Sequence, residues 1–223
     1  MAHIDENGKL IYNEITDPSV IQANYLRRRD GKAVDDAISI TTGLMPWNWG
    51  TPPISHDEIG FWVDCELWFF SSTSRKELGS GVEGKKNGTR WNKASELFRH
   101  PERWLLQEKK VNMIGWTHAI MPDEIIDTKI NRANALIGAE YDFPGVFTDW
   151  VNPARLSSNK PIPVSEIIKI KKIYCSKTVH LVDTGKLYIV SPRQRYRVAE
   201  KSGYKTIPDT KMFLHERGAI LDD

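Results

Sequence analysis

The sequence predicts one α+β domain, and three features predict it. The run "SHDEIGFWVDCELWFFSS" reads as two strands joined by a tight turn near Asp64–Glu66. The run "PDEIIDTKINRANALIG" places Ile125, Ile126, Ile130, Ala133 and Ile137 at helical spacing, opened by Pro122 and ended by Gly138. Strand-like and helix-like stretches then share a chain of 223 residues with no internal repeat, low-complexity tract or dividing linker. A chain of that length with 40% hydrophobic residues can bury one sizeable core.

Taken in order, "TDPSVIQANYLRRRDG" reads as a helix with Asp17 as N-cap, Pro18 at the first position and Gly31 as stop. This makes residues 1–30 a helical extension. After a mixed apolar segment, "LMPWNWGTPPIS" is a Trp/Pro/Gly loop. The glycine- and lysine-rich residues 72–92 are expected as an exposed loop or hairpin, within a peripheral insertion over 72–110. "KASELFRHPERWLLQ" is helix-like and interrupted at Pro101, and "KVNMIGWTHAI" is a strand. Beyond the helix from Pro122, "AEYDFPGVFTDWVNP" is turn-rich, with Asp142 placed to cap the turn, and "PVSEIIKIKKIY" is β-prone. A short helix, "SKTVHLVDTG", ends at Gly185. "KLYIV" reads as a strand, Ser191-Pro192 start a helix stopped at Gly203, and "ILDD" is a frayed end.

Composition excludes several function classes. With 31 basic and 29 acidic residues interspersed, the net charge of +2 offers no global field for nucleic acid or membrane. Lysine-rich runs such as "GVEGKKNGTR" read as solvated faces, so no specific nucleic-acid partner is expected. No stretch reaches the roughly 20 apolar residues of a membrane span. The amino terminus has neither a basic segment nor an apolar core of a secretory leader, which places the expected location in the cytoplasm. Two cysteines, Cys65 and Cys175, make no disulfide framework and are expected as free thiols. No Cys/His spacing suggests a metal, and nucleotide-binding and serine-hydrolase motifs are absent, so no cofactor is implied.

The residues with chemistry are a thiol and a histidine. In "KKIYCSKTVHLV" a β-prone run feeds into Cys175, on which a helix starts. A helix N-terminus stabilises a thiolate, and the backbone N–H groups of Cys175 and Ser176 could bind an oxyanion. From this stretch alone, a buried core thiol and a nucleophile both remain open. Among the histidines, His180 is on the same helix and over a turn away, and His118 ends a strand. His56 follows a loop and opens the strand "IGFWV".

These two contexts resemble one family. "ISHDEIGFWV" looks like the "S-H-x-G-I-Y" strand of NlpC-like papain-superfamily hydrolases, and "IYCSKTVHLV" resembles the "Y-C-S-E-L-V" nucleophile helix of their circularly permuted branch. That branch includes YiiX/YaeF-like proteins and lecithin–retinol acyltransferases, and in it the histidine precedes the cysteine, as His56 precedes Cys175 here. "ALIGAEYDFPG" is similar to the "G-x-x-Y-D-F" segment that precedes the cysteine block. The resemblance implies a permuted papain-like fold, a small antiparallel sheet packed against helices, and a thiol hydrolase that cleaves an amide bond through an acyl-enzyme. Cys175 would be the nucleophile and His56 the base. Ser71 is nearest by register to the orienting group on the following strand, with Glu66 or Ser72 as alternatives. Ser176 would serve the oxyanion site, and Tyr141 would line the cleft or be a core aromatic. The implied partner is a peptide, peptidoglycan-type or acyl substrate; no oligomeric state is implied. Ester, thioester or lipid acyl hydrolysis on the same site is the first alternative. A catalytically decayed binding or structural module of the same fold is the second.

Overall fold

The computed structural model describes residues 1–26, 37, 40–73, 88–98, 106–107, 110–111, 113–151, 159–188 and 191–218. Its centre is a mixed α+β arrangement around an eight-stranded sheet. The strands are β1 (His3–Ile4), β2 (Leu10–Ile11), β3 (Ile15–Leu26), β4 (Ile54–Val63), β5 (Glu66–Thr73), β6 (Gly88–Lys93), β7 (Leu106–Gln107), β8 (Lys110–Val111), β9 (Met113–Thr117), β10 (Glu140–Tyr141), β11 (Lys172–Ile173) and β12 (Lys205–Thr206). The sheet runs β11-β10-β6-β5-β4-β3-β9-β12, while β1/β2 and β7/β8 form separate pairs. Every ladder is antiparallel except β10/β11, which is parallel.

Among the described residues, the α-helices after β5 are α1 (Ala94–Phe98), α2 (Asp123–Ala135), α3 (Phe143–Val151), α4 (Val164–Ile167), α5 (Cys175–Thr184), α6 (Pro192–Lys201) and α7 (Thr210–Glu216). On one face of the sheet Ile59, Phe61 and Val63 of β4 and Phe70 of β5 join Ile126, Ile130 and Ala133 of α2 and Val179, Leu181 and Val182 of α5 in one buried cluster. On the other face Ile21, Ala23, Trp62, Leu67 and Phe69 pack with Ala94 of α1 and Leu214 of α7. The period of two along β4 therefore sorts its side chains between two cores. Gly60 is needed on the second face: a Cβ there would lie 2.7 Å from the Phe69 ring directly across the ladder.

Several sequence expectations are corrected. Residues 15–26 are not a helix but the central strand β3, paired with β4 on one side and β9 on the other, so residues 1–30 are no helical extension. Asp17 and Pro18 look like a helix start because a cap and a strand irregularity use the same residues. Here the Asp17 carboxylate accepts from Ser19 N–H at 2.8 Å, and Pro18 falls where the ladder shifts register between Asp17 and Val20. The segment read as turn-rich forms α3, with the Asp142 carboxylate accepting from Gly145 N–H at 2.9 Å, the capping role expected of it. In "PVSEIIKIKKIY" only Lys172–Ile173 is strand, preceded by the short α4. The span 72–110 is not wholly peripheral, since Ser72 and Thr73 finish β5 and Gly88–Lys93 pairs with it. Residues 74–87 and Pro101 lie outside the described residues, as does the end of "KLYIV", whose residues 186–188 are not strand.

Other expectations hold. The β4/β5 turn falls at Asp64-Cys65, α2 starts after Pro122, and Ser191 caps α6 by accepting from Gln194 N–H. Within α2, Ile126, Ile130 and Ala133 are buried, while Ile125 is 47% exposed and points away from the core.

Three helices of the first face close on one carboxylate. Asp183 of α5 accepts from Lys129 of α2 at 2.6 Å, from Arg195 of α6 at 2.6 Å and from the Tyr204 hydroxyl at 2.7 Å. Arg195 and Lys129 hold its carboxyl far below the usual range against the opposing pull of burial. His180, one turn earlier, takes a hydrogen bond from Arg195 on Nδ1 at 3.2 Å, and burial beside that cation lowers its pKa to about 3. Both groups have folded pKa values below their unfolded ones, so their contribution is present near neutrality and is lost as pH falls, from about pH 6.5 downward for His180 and below about pH 4 for Asp183. Denaturant melts from pH 7 to pH 3 should therefore show falling stability. Asp183→Asn should cost about 3–5 kcal/mol at pH 7, because it leaves Lys129 and Arg195 buried with less than their counter-charge, and should flatten the acid limb.

Cys65 stands in the β4/β5 turn at φ 64, exposed, beside Asp64 at φ 48. This left-handed pair suits glycine at the second position. Cys65→Gly should raise stability by about 0.5–1 kcal/mol in urea melts and leave Cys175 as the single thiol.

Candidate active site

The first turn of α5 is built by its surroundings. Tyr141 of β10 pairs in parallel with Ile173 of β11, and the Ile173 carbonyl accepts from the Ser72 hydroxyl at 2.7 Å and from Asp142 N–H at 3.2 Å. The chain leaves this pinned carbonyl through Tyr174, extended at φ −106 and ψ 167, and turns into helix at Cys175. The first intrahelical bond runs from Thr178 N–H to the Tyr174 carbonyl at 2.9 Å, so the N–H groups of residues 175–177 precede the helical ladder. Gly185, at φ 77, ends the helix as expected. Cys175 is 3% exposed, Tyr141 packs beside Tyr174 and Val146, and the fully buried Ser176 hydroxyl has no hydrogen-bond partner among the described residues.

His56 lies near the start of β4, and its partner is Glu58. Two residues apart on a strand they share a face, and His56 Nε2 is 3.2 Å from Glu58 Oε1. The same oxygen accepts from the Ser71 hydroxyl at 3.0 Å. Glu58 and Ser71 are fully buried, His56 only partly. With Glu58 as the carboxylate, which only accepts, the ring donates to it from Nε2.

The expected orienting groups are thus rearranged. Ser71 reaches the histidine only through Glu58. Glu66 stands at the far end of the β4/β5 ladder opposite Val63 and is ion-paired with Lys93, so it cannot serve His56. Ser72 points to the other face, where it holds the Ile173 carbonyl. Glu58 was legible as a strand His-x-Glu, whose period of two puts both side chains on one face. Two of the other described histidines are committed elsewhere. His118 faces the Ala119 and Ser202 carbonyls, both at 3.1 Å, and His180 belongs to the Asp183 cluster. His100 lies outside the described residues.

The pleat of β4 sets the relation between histidine and thiol. Ile59, Phe61 and Val63 face α2 and α5, so His56, Glu58, Gly60 and Trp62 leave the strand on the opposite face. The β4 residue on the α5 side at this level is Asp57, fully buried and bonded to Asn24 of β3. Burial pushes its carboxyl well up, although Arg195 and the Asn24 bond pull the other way.

No family model, curated protein or solved structure matches this chain. What the fold defines is the class, a mixed α+β protein in which no described helix is long and apolar enough to cross a membrane. No group of His, Cys, Asp and Glu among the described residues is arranged to hold a metal ion.

The His56–Glu58 contact has a direct readout. In ¹⁵N-edited NMR of the neutral ring, His56 should show a single tautomer protonated at Nε2. Glu58→Ala should turn it into a tautomer mixture, and an unchanged spectrum would remove Glu58 as its partner.

Proposed function

We propose that the chain is a thiol hydrolase that cleaves an amide bond of a peptide or peptidoglycan-type substrate, with Cys175 as nucleophile and His56 as base. The observation that carries this reading is a cysteine at the first position of a ten-residue buried helix, together with a histidine whose Nε2 is occupied by a buried carboxylate. His56 Nδ1 takes the thiol proton, and Sγ attacks the carbonyl carbon. The oxyanion so formed accepts hydrogen bonds from N–H groups of the first turn of α5. Collapse breaks the C–N bond as His56 returns the proton to the leaving amine, giving an acyl-enzyme. Water, deprotonated by the same ring, then releases the acid and restores the thiol. Esters and thioesters would enter the same sequence, with an alcohol or thiol as leaving group.

A second reading rests on the β4 pleat. His56 leaves the strand on the face away from α5, and Asp57 stands on the near face. In that reading the chain is a binding or structural module of the same fold, and Cys175 is a core thiol. Iodoacetamide alkylation between pH 5 and pH 10, in the Cys65→Gly background, separates the two. The hydrolase reading expects a Cys175 midpoint at least one pH unit below the roughly 8.5 of an ordinary thiol, and an upward shift in His56→Ala. A midpoint at or above the ordinary value, indifferent to His56→Ala, selects the binding module. A panel of peptide, ester and thioester substrates then ranks the leaving groups.

A further inference from the structure

The third position of α5 holds a residue that helix electrostatics disfavours. Close to a helix N-terminus the peptide dipoles favour an acid, yet this chain has Lys177 there. It is not a solvated lysine. Its side chain is 14% exposed and its ammonium is paired with Asp149 of α3, whose own side chain is 6% exposed. The Tyr174 hydroxyl donates to the same Asp149 oxygen at 3.2 Å, and the ammonium lies 5.3 Å from the centre of the Tyr174 ring. An ammonium and a carboxylate thus bracket the residue that precedes Cys175. A buried ion pair roughly breaks even in stability, so stability alone gives no reason for this one.

Other titratable and charged groups on the described elements around the start of α5 include Lys172 of β11, Glu140 and Tyr141 of β10, Asp142 before α3 and Asp57 of β4, while His56 and Glu58 of β4 leave that strand on its far face. The buried cations of α2 and α6, Lys129 and Arg195, are bound to Asp183 near the other end of α5. Among the described residues Lys177 is the cation that the first turn of α5 itself carries, two positions along the chain from the thiol.

We propose that Lys177 and Asp149 are an opposed pair of positioning residues that sets how much of Cys175 is thiolate, the ammonium favouring the anion and the carboxylate opposing it. This rests on the thiol-hydrolase reading for its purpose but not for its test. Iodoacetamide alkylation of Cys175 is followed from pH 5 to pH 10 in the Cys65→Gly background, with circular dichroism reporting the fold of each variant. Lys177→Met should move the midpoint upward and lower the rate at pH 7 roughly five-fold, the scale of one partly screened charge. Asp149→Asn should move it downward and raise that rate by a similar factor. Lys177→Arg should keep the parent midpoint, and Lys177→Gln stands in where Lys177→Met does not fold. A merely structural pair would shift both midpoints the same way or neither, and either result overturns the proposal. If the parent midpoint is that of an ordinary thiol while the two variants still move in opposite directions, the pair stands and the hydrolase reading falls.

Discussion

Asp183 is the carboxylate on which the helical layer closes. It receives Lys129 from α2, Arg195 from α6 and the Tyr204 hydroxyl, all within 2.7 Å, while sitting on α5 itself. A buried acid with two cations is tolerable only when the geometry satisfies all of them. That requirement fixes the positions of α2 and α6 against α5, and so determines where the other end of α5 lies. The Ile173 carbonyl, held by Ser72 and Asp142, anchors that other end. Cys175 therefore starts a helix that is pinned at both termini, and the orientation of its first turn is a consequence of contacts made by other residues.

The polar groups of the two faces of β4 have different characters. On the helix side Gln22, Asn24 and Asp57 form a chain of hydrogen bonds in full burial, and the Arg195 cation offsets part of the burial that pushes the Asp57 carboxyl up. On the other side His56 is exposed enough to meet solvent, yet its Nε2 is tied to the buried Glu58. A histidine built only to fill space would not need a carboxylate and a hydroxyl behind it. A histidine that is to take a proton from a thiol on α5 has to do so from a strand whose pleat turns it to the other face. These two facts define the question that thiol chemistry must answer.

The candidate site was partly legible. Cys175 at a strand-to-helix junction, Gly185 as the helix stop and the two-strand unit around Asp64-Cys65 follow from local residue chemistry, since caps, turns and alternation need only neighbours in sequence. Glu58 was legible and was not singled out: an i, i+2 acid on a strand lies on the same face as His56. Ser71, expected by register to orient His56, donates to Glu58 instead. Glu66 and Ser72 were excluded by facts no spacing reveals, namely an ion pair with Lys93 and a carbonyl two residues before the thiol.

By itself, the sequence determined the α+β character, the strand pair of β4 and β5, the helices from Asp123 and from Cys175, and the free thiols. Each rests on periodicity or capping within a single segment. Only the tertiary structure decided that residues 15–26 are the central strand, because Asp17-Pro18 serves a helix cap and a ladder irregularity equally well and the choice was made by β4 and β9 pairing on either side. It alone also decided which face of β4 each polar residue occupies, and that Lys177 meets Asp149. Those are relations between segments distant along the chain, set by burial and by the need of each buried charge for a partner.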